Sequence, residues 1–169
     1  MSLCVIAAGG TFDKHYDEIA GKLAFGRSVL STVIAQSRIA LPVRLEELPL
    51  LDSLDMQQED RLRIVDACRR AGEDRIVVIH GTDTMAVTAQ VLGQASLGKT
   101  IVITGAMVPY EIVNSDALFN FGMAVGVAQV LPAGVHLVMS GQVFDWHNVR
   151  KDRTLGVFER LQNQASARA

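Results

Sequence analysis

The sequence predicts a doubly wound, three-layer α/β domain around a mostly parallel sheet. Short runs such as Leu3 to Ala8 and Arg75 to Ile79 are apolar almost throughout, the pattern of strands buried on both faces. Segments with helical spacing alternate with them, which implies crossover connections and helices on each side of the sheet. The chain has 169 residues, 49% hydrophobic and 20% charged. That is enough for one buried core and too apolar for a disordered chain.

The elements follow in order. Leu3 to Ala8 is a strand that breaks at Gly9-Gly10 into a tight turn. A polar, glycine-punctuated loop runs to about Phe25, and Val29, Val33, Ile34 and Ser37 then recur at helical spacing. Val43 to Leu48 is strand-like between Pro42 and Pro49. The next helix has an N-cap in Ser53 or Asp55 and an apolar stripe at Ile64, Val65 and Cys68; Gly72 ends it as a left-handed cap would. Arg75 to Ile79 is a strand, Met85 to Ala95 a helix, Thr100 to Thr104 a strand, Ser115 to Leu131 a helix and Val135 to Met139 the last clear strand. Periodicity is lost after Trp146. The domain is expected to span 1–161, with 162–169 as a flexible tail.

Composition removes several function classes. Sixteen Lys and Arg against eighteen Asp and Glu leave a net charge of −2, without the basic footprint that nucleic-acid binding requires. No apolar run approaches the roughly 20 residues that span a bilayer, and the N-terminus lacks a signal-peptide layout. Cys4 and Cys68 read as small buried hydrophobes with no zinc-type spacing, in keeping with a reducing cytoplasm. His80 and His136 read as hydrogen-bonded structural residues, and no His/carboxylate cluster calls for a metal. No cofactor is expected.

In this fold class the site lies at the carboxyl ends of the strands. Four loops there are rich in hydroxyls and carboxylates: Gly9-Gly10-Thr11, Asp52-Ser53-Leu54-Asp55-Met56, His80-Gly81-Thr82-Asp83-Thr84 and Thr104-Gly105-Ala106-Met107. Thr11 is either a turn residue or a nucleophile with a partner to take its proton. Thr82 and Asp83 are either helix caps or groups presented to a ligand, although three consecutive capping-type residues exceed what one helix needs. Ser53 carries the same ambiguity. Asp52 beside it is a solvated turn residue or a ligand contact. Taken alone, Lys151 reads as a surface charge.

Gly9-Gly10-Thr11-Phe12, His80-Gly81-Thr82-Asp83-Thr84-Met85, Thr104-Gly105-Ala106-Met107 and Asn114-Ser115-Asp116-Ala117-Leu118-Phe119-Asn120 resemble the signatures of the bacterial-type L-asparaginases. The resemblance runs in order across nearly the whole chain. It implies an amidohydrolase acting on L-asparagine or a close analogue through a threonyl ester. It further implies that Thr11 is the nucleophile, Thr82 the second threonine, and Asp83 the partner of the substrate ammonium. By the same resemblance Ser53 holds the substrate carboxylate, Ala106 lines the amide side through its backbone, and Lys151 is the lysine that moves the proton. Tyr16 matches the loop tyrosine that assists Thr11, in a mobile lid with Gly21 and Gly26 as hinges.

Departures accompany the matches. Family members are about twice this length, and the second domain of a neighbouring protomer completes their site. A homodimer or homotetramer is therefore expected, with Asp13, Asp17 and Glu18 as nearby acidic residues. A glutamine that often follows the site serine is Leu54 here, and a motif glycine is Ala117.

Two other readings compete. An α/β nucleotidyltransferase shares the Gly9-to-Asp13 opening, but His15-Tyr16-Asp17-Glu18 stands where a second histidine would stabilise the transferring phosphoryl group. A non-catalytic amino-acid-binding or assembly subunit need keep no nucleophile, whereas Thr11, Thr82 and Lys151 are all present.

Overall fold

The computed structural model describes residues 1–161, so the expected tail lies outside the described residues. The chain runs β1 (Leu3–Gly9), a 3-10 turn (Thr11–Asp13), β2 (Lys14–Asp17), β3 (Lys22–Phe25), α1 (Leu30–Gln36), β4 (Val43–Leu51), α2 (Gln58–Arg70), β5 (Arg75–Ile79), α3 (Met85–Gln94), β6 (Thr100–Thr104), α4 (Ala117–Val130), β7 (Gly134–Met139), β8 (Gln142–Asp145), β9 (Arg150–Asp152) and β10 (Val157–Glu159). The main sheet has the order β4-β1-β5-β6-β7-β8. Its first five strands pair in parallel, and β8 returns antiparallel on β7. Numbered among themselves, the parallel strands have the order 2-1-3-4-5, which puts the switch of direction between β1 and β5.

The uniformly apolar strands are buried on both faces, as the sequence predicts. Alternate residues of β1 serve opposite cores. Cys4, Ile6 and Ala8 join Ile64, Cys68, Ala89 and Leu92 under α2 and α3. Leu3, Val5 and Ala7 join Leu30, Val33, Phe121 and Ala124 under α1 and α4. Both cysteines are free, and burial pushes their thiols up to about 11 for Cys4 and about 12 for Cys68, so they behave as buried hydrophobes.

Local structure differs from the sequence expectation at several places. β4 continues through Pro49 because it is an edge strand, where a missing N–H costs no ladder bond. Its face toward α2 is charged: Arg44 pairs with Glu46 and Glu73, and Arg70 of α2 also reaches Glu46. α2 is not capped by Ser53 or Asp55. Gln57 and Asp60 form a reciprocal box, the Gln57 N–H donating to Asp60 at 2.9 Å. Its C-cap is Ala71 in an extended conformation, and Gly72 does not adopt the left-handed form. α4 starts two residues later than expected because the Ser115 hydroxyl donates to Val108 O instead of entering the helix.

The largest corrections lie at the two ends of the chain. The loop after Thr11 is a β2–β3 hairpin, not irregular coil. Beyond Trp146, where the sequence shows no period, β9 and β10 form a second hairpin. Phe158 of β10 lies opposite Lys151 and is buried against the α2/α3-side core, with its ring 6.5 Å from that of Phe144.

Candidate active site

Four loops meet above the β1/β5 switch because their backbones touch. A methyl group placed on Gly10 would lie 2.3 Å from Gly81 Cα, and Gly10 has φ +84°, so that position admits only glycine on both counts. A methyl on Gly81 would lie 2.6 Å from Ser53 Cβ, and one on Gly105 2.2 Å from His80 O. Thr11 follows Gly10, Thr82 follows Gly81, and Ser53 is itself the partner of Gly81. Ala106, next to Gly105, is fully buried.

Lys151 reaches this seam from β9. Its Nζ donates to Thr82 Oγ1 at 2.7 Å and to Asp83 Oδ1 at 2.8 Å, and its side chain is only 8% exposed. Val149, two residues earlier, is buried, whereas Arg150 points outward to Glu159. The alternation of the short strand therefore turns Lys151 inward. Thr82 is buried, and Arg153 adds a hydrogen bond to Asp83 O at 3.3 Å.

Thr82 and Asp83 are not helix caps. The N-cap of α3 is Thr84, which makes no side-chain capping bond. Its hydroxyl instead donates to Ser53 O at 2.7 Å, and its N–H donates to Ser53 Oγ at 3.4 Å. The Ser53 hydroxyl thus accepts, and its own proton is not used among the described residues. The Thr11 hydroxyl makes no hydrogen bond among the described residues either.

His80 closes the floor of the seam. Because a carbonyl can only accept, the contact of 2.8 Å with Gly81 O places the proton on Nδ1; Thr88 Oγ1 then donates to Nε2 across 2.9 Å. Burial pulls the imidazole down to about 4, so it stays neutral. This is the structural histidine that the sequence implies.

Other expected residues are placed differently. Asp52 is engaged by Lys14 and by the Leu54 N–H, and the lysine holds its carboxyl below the usual range. Tyr16 is 61% exposed on the hairpin and has no hydrogen-bond or ring partner among the described residues. The acidic residues do not line the seam as a group. Asp13 is buried and accepts from Ser28 and from the Val29 N–H, with burial pushing its carboxyl up. Asp17 accepts from the Ile19 and Ala20 N–H groups in the hairpin turn, and Glu18 is exposed. The hairpin is anchored at its base through Asp13 and Lys14. Gly26 offers little slack as a hinge, since a methyl there would meet the His15 ring at 2.9 Å.

Four further residues contribute for which the sequence suggests no role, two of them within the Asn114-to-Asn120 motif. Asp116 accepts from the Met107 and Val108 N–H groups, while Asn120 donates to Gly105 O and accepts from the Ser140 N–H, so the Ser-Asp-…-Asn motif fixes the loop carrying Ala106. Lys14 binds the loop beside Ser53. Arg61 is buried and donates to Met56 O and to Thr84 Oγ1. Its only sequence signal is a cation just after an acidic first turn. Among the described residues no group of three or more His, Cys, Asp or Glu could hold a metal ion. None of the described helices is long and apolar enough to cross a membrane.

Fold and site together define a doubly wound α/β domain with a threonine–lysine–aspartate cluster at its switch point. The family model described as "Asparaginase, N-terminal" matches residues 2–165, and the chain belongs to that family. It is similar to a component of the glutamyl-tRNA(Gln) amidotransferase of Aeropyrum pernix, with 36% identity over 150 residues covering 83% of this chain and 35% of that protein. It is also similar to L-asparaginase of Thermococcus kodakarensis, with 30% identity over 162 residues covering 93% and 49%. The solved structure of the thermostable T. kodakarensis L-asparaginase superposes with a TM-score of 0.82 at 28% identity, covering 95% of this chain and 51% of that one. The chain thus spans about a third to a half of the length of these relatives.

Proposed function

We propose that the protein is an amidohydrolase that cleaves the side-chain amide of L-asparagine, or a close analogue, to the acid and ammonia. The observation that carries the reading is the contact of Lys151 Nζ with both Thr82 and Asp83, on a loop that the Gly10 backbone next to Thr11 touches; the Thr11 hydroxyl makes no hydrogen bond among the described residues. Thr11 attacks the amide carbon and its proton passes to the departing nitrogen, so that ammonia leaves and a threonyl ester remains. Thr82, with its hydroxyl held by Lys151, positions the water that cleaves the ester; one proton of that water passes to the departing Thr11 oxygen, which restores the hydroxyl and frees the acid. Asp83 meets the substrate ammonium and Ser53 the substrate carboxylate. Ala106 borders the amide, and Tyr16 of the hairpin closes over Thr11. The reaction draws on no cofactor, and the working form is a homodimer or homotetramer in the cytoplasm.

Purified protein incubated with L-asparagine is expected to release ammonia, and Thr11→Ala is expected to abolish the release. Ammonia formation that survives Thr11→Ala overturns the nucleophile assignment. L-Aspartate binding without any turnover would favour a binding or assembly role. The similarity to an amidotransferase component makes glutamine the second amide to assay.

A further inference from the structure

Arg61 has no role in the mechanism above, yet it is a buried cation directly behind the seam. The residue is 8% exposed, and its Nε has no hydrogen-bond partner. Among the described residues no carboxylate pairs with it. The acid of its own turn, Asp60, is already used by the Gln57 N–H and by Arg63. A buried guanidinium without a counter-charge is expensive, and the start of a helix favours anions over cations, so neither packing nor the helix accounts for it.

The hydrogen bonds show where its charge is directed. Arg61 Nη1 donates to Met56 O at 2.9 Å and holds the loop that carries Ser53. Arg61 Nη2 donates to Thr84 Oγ1 at 3.2 Å, and that hydroxyl passes its proton toward Ser53 O. With both its backbone oxygen and its hydroxyl oxygen receiving from Thr84, Ser53 keeps its hydroxyl proton for a ligand. His80 lies near enough to feel the guanidinium, which helps to keep that imidazole neutral, so the positive charge behind the seam is that of Arg61.

We propose that Arg61 is a specificity-determining positioning residue that makes this site select substrates with a free α-carboxylate, acting through Thr84 and Ser53. The assignment rests on the amidohydrolase reading and deepens it. The substrate anion supplies the counter-charge that the folded chain lacks, one hydrogen-bonded layer away from the guanidinium.

The test compares L-asparagine with its α-methyl ester, following ammonia so that only side-chain amide cleavage is read. L-Aspartate binding is titrated in parallel by calorimetry. In the wild type the free acid is expected to be preferred. Arg61→Met is expected to raise KM for L-asparagine and weaken L-aspartate binding by about tenfold, the scale of one charge-assisted contact. The change in kcat is expected to be small, the ester is expected to be handled as before, and Arg61→Lys is expected to recover most of the preference. If Arg61→Met does not fold, Arg61→Gln keeps a donor, drops the charge and makes the same measurement. An unchanged acid-over-ester ratio in the neutral variants overturns the assignment, and so does an equal loss on both substrates, which marks a merely structural arginine. Wild-type protein that neither releases ammonia nor binds L-aspartate overturns the amidohydrolase reading itself, and this inference with it.

Discussion

The loops after β1 and β5 stand on strands that are buried almost along their whole length, whereas the hairpin bringing Lys151 to them has two strands of three residues each. On the sheet side, Gly10 against Gly81 and Gly81 against Ser53 approach so closely that neither glycine has room for a methyl group. On the hairpin side, the hold on the core comes chiefly from Phe158 and Val149. The comparison separates two tasks. The sheet presents hydroxyls and a carboxylate in nearly immovable positions, and a lightly anchored element supplies the ammonium that links them. Precision in such a site is limited by its weakest support, which here is two apolar side chains.

The sharpest way to test that division is to remove one member of the cluster from each side. Lys151→Met and Thr82→Val are each expected to lower kcat/KM for L-asparagine by about 10²–10⁴-fold, and the double variant by no more than either alone, because the pair acts as a unit. Multiplicative losses would mean that sheet and hairpin contribute independently. Next in size is Phe158→Ala, expected to cost about 3 kcal/mol of stability. The loss should be concentrated in the hairpin, so that trypsin cuts near Arg150, Lys151 and Arg153 faster and activity falls while the main melting transition persists. Unchanged cleavage and activity would show the hairpin to be held by something other than that ring.

The smallest effect tests the sheet side through pH. His80 titrates near 4 in the fold and near 6.5 when unfolded. The unfolded chain therefore takes up this proton first, and the stability present above 6.5 is lost as pH falls toward 4. Between pH 7 and 5 the loss from this group is about 2 kcal/mol. Urea denaturation at the two pH values should show a flatter dependence for His80→Gln than for the wild type.

The same contrast explains what can be read in the sequence. The parallel strands announce themselves because burial on both faces leaves a continuous apolar run, and the glycine–hydroxyl strings mark where those runs stop. A three-residue strand with one inward side chain leaves no period, so β9 and β10 are invisible in the pattern, and only resemblance brings Lys151 to the site. The α2 cap escapes notice because it is built from Gln57 and Asp60, not from Ser53 or Asp55. Pro49 ends a strand only if that strand is central. Arg61 cannot be identified because its role depends on which neighbours bury it, and a linear pattern does not carry that information.

The charges and the proline of β4 bear on how copies of this protein can meet. An outermost strand with unused backbone donors and acceptors invites another chain to add itself to the sheet. Arg44, Glu46 and Pro49 oppose this: a second strand laid alongside would have to pack beside charged side chains and would find one amide hydrogen missing. Growth of the sheet from one molecule into the next is therefore opposed at that border, which leaves β8, at the far side of the sheet, as its other open strand.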